Sequence, residues 1–418
     1  MGLGPSAHTP ASELGGAARP RVIRSPTAAL YGASVEEVVD GAGLNPAEVG
    51  KGVGRLLDVL DGVDADGWYP MLEVVRPWSE HNPRITGEFA RPAAIRDYLR
   101  RELTTLLRKG AAVTARPSRR ALPFTDPEFF AALDEERFDL RAKKLFLFGP
   151  ERMALSLDRL SHYCGTPAES FGRYVLFTNY AMHVEAFRER FPDAEGPARP
   201  DVQMPAWHHD GVSLVNIGVG PSNAKTVTDH LAVLRPDAMI MIGHCGGLRN
   251  HQRLGDFVLA TSYLREDHVL DRVLPLTVPV IPNHRLNTFL LDALDERDAR
   301  HRLGVVHTTA NRNWEFNQAA TLAAMQASRA VAVDMESATI AANGFRYRIP
   351  NATLLCVSDK PLHASPKLSA SASAFYETSK REHLNIALSC VDRVRREHPN
   401  GLPSQDIRSP DEPLFGVE

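Results

Sequence analysis

Two acidic side chains stand directly after apolar segments that are typical of buried strands. Glu336 follows VAVDM and precedes the small-residue helical segment SATIAANG, whereas Asp359 ends ATLLCVSD. A helix N-terminus favours an ionised carboxylate, so Glu336 could accept hydrogen bonds from two sugar hydroxyls. Burial at the end of an apolar strand would raise the pKa of Asp359 above its usual ~3.9, which suits a general acid.

Either acid alone could be a helix-capping residue. We assign Asp334, two positions before Glu336, to helix capping or to a contact with a neighbouring strand. In open α/β sheets, however, ligands bind in the crevice at the carboxyl ends of the strands. Because Glu336 and Asp359 both follow strands, they are predicted to form a catalytic pair at one edge of a sheet.

A glycine turn is expected at the same edge. GVGPSN follows the strand VSLVNIG but fits neither common phosphate-binding motif, since Asn223 replaces the third glycine of GxGxxG and Ala224 replaces the glycine before the Walker lysine. What remains is a tight turn at Gly220 with Ser222 or Asn223 as the helix N-cap. Its backbone N–H groups could approach a ligand, or the segment could be a plain turn.

Histidines near these turns allow two interpretations. In GHCGG, His244 could point into the crevice, but in an extended segment it faces the opposite way from Cys245. This disfavours a metal site shared by the two side chains. His208 and His209, in the segment WHHDG, are predicted to be solvated.

A series of apolar strands predicts the sheet that places these residues. The strands are RYVLFT, VSLVNIG, DAMIMIG, DFVLATS, VVHTT, AVAVD and ATLLCVS. Helical segments such as SNAKTVTDHLAVL and NWEFNQAATLAAMQ separate several of them, and a C-terminal helix is expected over about 373–396. This pattern predicts an α/β domain with a central, largely parallel mixed sheet covered on both faces.

The preceding part of the chain predicts a smaller α+β domain. We expect a disordered tail over 1–24, the α+β domain over 25–165 and the α/β domain over 166–418, with a linker at about 192–211. SVEEVVDGAG and AIRDYLRRELTTLLRKG are predicted as helices, and MLEVVR as a strand. The second helix has one apolar face. Its residues are Ile95, Leu99, Leu103 and Leu106.

A short basic segment, RPSRR, contributes Arg116, Arg119 and Arg120 to the N-terminal domain. Such a run is commonly a solvated loop. The alternative is that the three arginines bind a regulatory phosphate or ATP.

The net charge, the length of the apolar segments and the cysteine spacing disfavour several classes of protein. The formal net charge of −3 and a pI near 6.6 disfavour a dedicated nucleic-acid-binding protein. No segment approaches the ~20 apolar residues of a membrane span, and the N-terminus lacks the apolar core of a signal peptide, so a cytoplasmic protein is predicted. The cysteines are widely spaced, without a CxxC pair, and are predicted to be buried, reduced thiols. They are Cys164, Cys245, Cys356 and Cys390.

Several of these segments together carry a family resemblance. LVNIGVGPSNAKTVTDHLAVLRP, MIGHCGGLRNHQRLGDFVLA, YLREDHVLDRVLP, RNWEF, VDMESATIAA and LLCVSDKPLH resemble the nucleoside phosphorylase superfamily. SLDRLSHYCGTPAESFGRYVLFTNYAMHVEAF and DEPLF are similar to the bacterial AMP-hydrolysing nucleosidases within it. The resemblance is strong over about 155–413 and weaker before that range.

The resemblance implies hydrolysis of AMP to adenine and ribose 5-phosphate, with no redox cofactor and no catalytic metal. It also implies a homohexamer whose N-terminal domain mediates activation by MgATP and inhibition by phosphate. Two alternatives stay open: a purine nucleoside or nucleotide phosphorylase, and a non-catalytic adenylate sensor. Because Glu336 and Asp359 are both present, the sensor is the less favoured of these.

The resemblance assigns roles to individual residues. Asp359 corresponds to the acid that protonates purine N7, because a protonated base is a better leaving group. Glu336 would bind the 2′- and 3′-hydroxyls, with Met335 under the sugar. Arg312 is the candidate for the 5′-phosphate and Trp314 for the base. The full set of predicted substrate contacts is Met335, Gly220, His244, Arg312, Asn313, Trp314, Tyr180 and Ser358.

One departure from the phosphorylases indicates water as the nucleophile. They place a phosphate-binding arginine two residues before the glycine of their GSCG-like motif, where this chain has Met241, and His244 replaces their serine. Without the arginine, phosphate loses a bidentate partner. Related hydrolases carry an acidic residue where this chain offers Asn179 and Tyr180. Asn179 cannot act as a base, so we assign it to orienting the water.

Overall fold

The computed structural model describes residues 36–79, 83–121, 146–363 and 369–402, so the tail predicted over 1–24 lies outside the described residues. The helices and strands are β1 (Glu37–Asp40), α1 (Pro46–Ala65), β2 (Trp68–Val75), β3 (Arg84–Glu88), α2 (Arg96–Arg108), β4 (Ala112–Ala121), α3 (Pro150–Cys164), β5 (Tyr174–Thr178), α4 (Ala181–Arg190), β6 (Ala206–His209), β7 (Val212–Asn216), α5 (Pro221–Leu231), β8 (Ala238–Gly247), β9 (Phe257–Glu266), α6 (His284–Asp295), β10 (His301–Thr309), α7 (Gln318–Ala327), β11 (Ala332–Asp334), α8 (Ser337–Tyr347), β12 (Asn351–Asp359) and α9 (Ser369–Glu397). Among the described residues, no helix combines the length and apolarity that crossing a membrane requires.

The N-terminal elements form a four-stranded antiparallel sheet in the order β1-β4-β2-β3, packed against α1 and α2. The predicted apolar face of α2 is buried. Helix α1 begins with a capping box, in which the Asn45 side chain accepts the N–H groups of Ala47 and Glu48 while Glu48 accepts the N–H of Asn45. The predicted α+β architecture is confirmed for this part of the chain.

The helix predicted over residues 34–43 is wrong, because Glu37–Asp40 form strand β1. Val38 and Val39 are β-branched residues that suit a strand, and Val39 turns inward with 4% exposure while Val38 faces out. Gly41 then lies so close to the backbone of Leu107 that a Cβ would clash with it. The first helix begins only after the Asn45 cap.

The second sheet has eight strands in the order β11-β10-β9-β12-β8-β5-β7-β6. Most neighbouring pairs are parallel, while β12–β9 and β6–β7 are antiparallel, which confirms the largely parallel mixed sheet. Strand β11 also pairs antiparallel with the end of β8, so five strands close into a ring. This closure brings the chain leaving β11 to the carboxyl ends of β8 and β12.

Helices cover both faces of this sheet. Alternate residues of β8 enter two different apolar clusters: Met239 and Met241 pack with residues of α5 and α8, whereas Ile240 and Ile242 pack with residues of α4, α6 and α9. All ten residues of β8 are buried. With both faces covered, polar side chains that serve a ligand are confined to the strand ends. The four cysteines are buried thiols that take part in no disulfide.

Four local predictions are corrected by the structure. RPSRR lies in strand β4 and is not a loop. The segment expected as a linker contains β6, and the prediction that His208 is solvated is wrong. Its ring is 6% exposed, and its two nitrogens bond the hydroxyls of Thr166 and Ser213, each at 2.8 Å. Helix α5 has Gly220 as its N-cap instead of Ser222 or Asn223, because Pro221 already occupies its first turn.

Candidate active site

Glu336 lies between β11 and α8, at the N-cap position of the helix, with 1% of its surface exposed. One carboxylate oxygen accepts the backbone N–H of Gly220 at 2.6 Å, and the other accepts the amide Nδ2 of Asn179 at 3.1 Å. Gly220 has a φ of 118°, a conformation that favours glycine. Glu336 therefore joins the chain segments that leave β11, β7 and β5 at the same sheet edge.

Asp334 is buried, and its hydrogen bonds connect β10 to the start of α8. Its carboxylate accepts the hydroxyl of Thr308 on the neighbouring strand β10 at 2.6 Å, and it accepts both the backbone N–H, at 2.9 Å, and the hydroxyl of Ser337 in the first turn of α8. Both parts of the interpretation of Asp334, a helix cap and a neighbouring-strand contact, are confirmed. Thr308 also accepts the N–H of Ala338, so β10 supports the helix start twice.

Burial opposes the ionised carboxylate that is expected at Glu336. It raises the pKa of Glu336 to about 8, and the neighbouring Asp334 adds to the rise. The hydrogen bonds from Gly220 and Asn179 act in the opposite direction and favour the charged form.

Asp359 ends β12, opposite Gly246 of β8, at a point where the strand register is irregular. Its Oδ1 accepts the hydroxyl of Ser358 at 2.7 Å, and that hydroxyl also lies 3.3 Å from the carbonyl of Cys245. Asp359 is only partly buried, whereas Ser358 is buried. Asp359 is therefore partly accessible at the carboxyl edge of the sheet, while Ser358 is hydrogen-bonded to β8.

Tyr180 connects the two acids electrostatically. Burial raises the pKa of its phenol, and the charges of Glu336 and Asp359 raise it further, while Arg312 acts in the opposite direction. All three charged residues therefore lie within electrostatic range of the same phenol. Arg312 itself is exposed.

Asn179 faces Glu336 on one side and β8 on the other. Its Oδ1 is buried and has no hydrogen-bond partner among the described residues. A Cβ at Gly243 would lie 3.2 Å from this oxygen and 2.6 Å from the terminal methyl of Met241. Glycine at 243 thus lets Asn179 and the buried thioether of Met241 approach the same stretch of strand.

Trp314, one of the two residues predicted to contact the base, packs next to the ends of β8 and β11. It is 5% exposed and packs with Leu248 and Val333. Asn313 is exposed, and its backbone N–H bonds the side chain of Asn311 at 3.0 Å. Met335 is half-buried between Asp334 and Glu336. The described contacts join neither Trp314 nor Asn313 to the two acids directly.

His244 belongs to a buried group of histidines. Its ring stacks on His183 of α4 with centroids 5.4 Å apart, and its edge lies against Tyr180 at 4.7 Å. His383 of α9 completes the group, 4.9 Å from His183 and 6.0 Å from His244. Burial lowers the pKa of His383 to about 4.

Sequence reasoning missed Thr308, His183 and His383. Thr308 stands near the end of the apolar strand VVHTT, so the strand-end rule that selected Asp359 could have found it. His183 and His383 lie on helices 200 positions apart, and no pattern in the sequence links them.

Comparisons with known proteins identify the family of this chain. The family model described as "Phosphorylase superfamily" matches residues 173–392, which is more than half of the chain. AMP nucleosidase of Escherichia coli (strain K12) is 40% identical over 83% of this chain and 89% of its own length. The crystal structure of AMP nucleosidase from Bacteroides thetaiotaomicron shares 28% identity with a TM-score of 0.51, covering 59% of this chain and 99% of that one.

A more distant relative, uridine phosphorylase of Treponema pallidum, is 25% identical over 36% of this chain and 59% of its own length. The similarity to the E. coli protein extends over most of the chain, whereas the similarity to this phosphorylase is confined to a part of it. The chain therefore belongs to the AMP nucleosidase family within the phosphorylase superfamily.

Proposed function

We propose that this chain hydrolyses the N-glycosidic bond of AMP to adenine and ribose 5-phosphate. The proposal is supported by 40% identity to an AMP nucleosidase over most of both chains. It is also supported by the two acids that lie within electrostatic range of Tyr180 at one sheet edge.

In the proposed reaction the C1′–N9 bond breaks and its electron pair leaves with the purine. Asp359 gives its proton to N7, so that adenine departs as a neutral base. Positive charge develops on the sugar, and Glu336 stabilises it while its oxygens accept the 2′- and 3′-hydroxyls. This role requires the ionised form of Glu336, whose pKa is about 8 in the unliganded chain.

Water completes the reaction by attacking C1′. Asn179 orients this water through its buried Oδ1, which has no other hydrogen-bond partner among the described residues, while its Nδ2 holds Glu336. The proton lost by the water passes to solvent, and a proton from solvent restores the Asp359 carboxyl. The amide thus positions two groups and accepts no proton.

The observation that favours hydrolysis over phosphorolysis is Met241. It is fully buried, and its methyl group reaches the backbone of Gly243 beside Asn179. A thioether cannot bind a phosphate oxyanion as the guanidinium of a phosphorylase does. Water therefore replaces phosphate as the nucleophile.

The remaining substrate contacts are assigned by position at the edge. Arg312, exposed and close enough to act on Tyr180, binds the 5′-phosphate, while Trp314 and Asn313 lie beside the base. Met335 lies under the sugar. The other contacts in the proposal are Gly220, Tyr180, His244 and Ser358.

The assembly and regulation are also part of the proposal. The chain forms a homohexamer in the cytoplasm, with MgATP as an allosteric activator, phosphate as an inhibitor and no catalytic metal or redox cofactor. Phe316, which is 90% exposed two residues after Trp314, is the kind of apolar side chain that a neighbouring subunit would cover.

A product assay tests the reaction. Purified protein is incubated with AMP, with and without inorganic phosphate, and the products are separated by chromatography. Adenine and ribose 5-phosphate formed without phosphate support the hydrolase. Strict dependence on phosphate, with ribose 1,5-bisphosphate as product, would make the enzyme a phosphorylase.

A further inference from the structure

The buried histidine group lies behind the candidate active site, where three elements meet. His183 comes from α4, His244 from β8 and His383 from α9, and their exposed fractions are 0%, 4% and 0%. One nitrogen of each ring lies within 4.8 Å of the corresponding nitrogens of the other two. Burial removes these ring nitrogens from bulk solvent, so each ring needs polar partners inside the protein or a bound ligand.

His383 and His183 each use one ring nitrogen in a hydrogen bond to a residue outside the group. His383 Nε2 bonds the carbonyl of Leu354 at 2.7 Å, and a carbonyl only accepts, so Nε2 carries the proton and Nδ1 carries the lone pair. Nδ1 of His383 has no hydrogen-bond partner among the described residues. His183 Nδ1 bonds the hydroxyl of Thr178 at 2.7 Å, which leaves Nε2 on the other side of the ring.

This pattern matches that of metal-binding histidines. A ligating histidine commonly donates its second N–H to a carbonyl, carboxylate or water, which fixes the tautomer and the ring orientation. We propose that His183, His244 and His383 form a site for one divalent transition metal of the zinc class. Imidazole is a preferred ligand of Zn²⁺, and three protein ligands with an open fourth position are a known arrangement. From the observed spacing, each nitrogen moves by less than about 1 Å to reach a zinc–nitrogen bond of about 2.0–2.1 Å.

The site would stabilise the segment that carries Asn179. Thr178, which bonds His183, also accepts the backbone N–H of Tyr180 at 3.2 Å. A metal would link His244 of β8 and His383 of α9 to His183, which is hydrogen-bonded to Thr178 directly before Asn179. The metal would therefore position Asn179 and Tyr180, with His244 both a ligand of the metal and one of the proposed substrate contacts. This structural role goes beyond the proposed hydrolysis.

Metal content of the tag-free, full-length chain tests the site. The protein is stripped with a chelator, dialysed against Co²⁺ or Zn²⁺ and analysed by mass spectrometry for bound metal. We expect about one metal per chain, with visible absorption bands in the Co²⁺ form. His383→Gln should lose this metal. His230→Gln should retain it, because His230 is also buried but lies outside the group.

Thermal unfolding gives a second readout that does not depend on the variants. Zn²⁺ should raise the Tm of the stripped native chain by several degrees, whereas Mg²⁺ at the same concentration should not, since imidazole is a poor ligand for magnesium. Native protein that binds no Co²⁺ or Zn²⁺ and shows no shift in Tm would overturn the proposal. Equal metal content in native protein and folded His383→Gln would overturn it as well.

Discussion

The two sheets of this protein distribute their polar side chains in opposite ways. In the N-terminal sheet, burial alternates along β2, and charged residues stand on the strands themselves, as Arg116 does 3.7 Å from Glu73. In the eight-stranded sheet, β8 is buried at every position, and the polar groups gather where strands end. A sheet covered on both faces has only its ends available for chemistry, whereas a half-exposed sheet can place charges anywhere along its outer face.

The two sheets are connected at the edge away from the candidate site. Asp237 directly precedes β8 and is buried, and it pairs with Arg101 of α2 and with Arg173, which precedes β5 and lies 2.7 Å away. Both strands begin at this point and end at the carboxyl edge. Chemistry and the ionic connection to the N-terminal sheet are thus placed at opposite ends of the same strands.

The largest effect is expected at the carboxyl edge, from Asp359→Asn. An amide cannot give a proton to N7, so kcat should fall by about 10²–10⁴-fold, the usual contribution of a general acid. AMP binding, measured by calorimetry, should persist. Asp201→Asn, a change at an exposed position, serves as the control. Near-normal turnover of Asp359→Asn would remove the acid from the mechanism.

Glu336→Gln should have the next largest effect. Loss of a hydrogen bond to a charged group costs about 1.5–3 kcal/mol, which corresponds to a loss of about 10–150-fold in kcat/KM. The proposed mechanism needs Glu336 ionised and Asp359 protonated, so kcat/KM of the native enzyme should pass through a maximum with pH, and Glu336, whose pKa is about 8, should set one limb of this profile. The variant should lack that limb. A native profile that is flat between pH 6 and 9 would contradict an ionised Glu336 as the active form.

The same carboxyl makes stability depend on pH. Folding raises the pKa of Glu336 from 4.5 to about 8, so its contribution to stability is fully present below pH 4.5 and is lost as the pH rises to about 8. The slope across this window is at most about 1.4 kcal/mol per pH unit. Glutamine does not titrate in this range. The Tm measured from pH 5 to 9 should therefore decline less for Glu336→Gln than for the native protein. Parallel declines would contradict the raised pKa.

The sequence predicted the larger sheet better than the smaller one, for a physical reason. Strands buried on both faces are continuous apolar runs, and each strand named from the sequence for this sheet is present. The four residues of β1 fit helical and strand periodicities equally, and the capping box of Asn45 and Glu48 places the start of the helix later in the chain. Short strands carry too few residues for periodicity to distinguish the two structures.

The candidate site was predictable only as far as the strand ends. Glu336 and Asp359 were selected because each follows an apolar run. The bonds from Gly220 and Asn179 to Glu336 join residues more than 100 positions apart, and they depend on how β5, β7 and β11 are ordered in the sheet. The raised pKa of Glu336 follows from its burial beside Asp334, which local sequence cannot provide.

Asn179→Ala separates positioning from general loss of structure at this edge. The variant loses the donor to Glu336 and the acceptor for water, so kcat should fall about tenfold or more, as expected for one or two hydrogen bonds. Since the donor favours the ionised form of Glu336, its loss should also shift the limb of the kcat/KM profile that Glu336 sets to higher pH. A fall in kcat with an unchanged pH profile would mean that Asn179 does not act on Glu336.

At the opposite edge, Arg101→Met should affect stability more than activity. Asp237 would keep only one of its two arginine partners while staying buried, so the free energy of unfolding should fall by about 1.5–3 kcal/mol. Urea unfolding measures the loss, and the exposed neighbour Arg100→Met is the matched control. Because Asp237 precedes β8, kcat should be nearly unchanged. Lost turnover without lost stability would show that the two edges are coupled during catalysis.

The smallest effect on basal activity is expected from replacing Arg116, Arg119 and Arg120 together by alanine. They lie on β4 of the half-exposed sheet, where Arg116 forms a weak pair with Glu73, so their removal should leave kcat without effector unchanged. If these arginines bind a regulatory phosphate or ATP, activation by MgATP should be lost in the triple variant and retained in a double variant at the exposed Arg100 and Arg108. Unchanged activation would mean that the basic strand is only a solvated surface, and that any regulatory anion binds elsewhere.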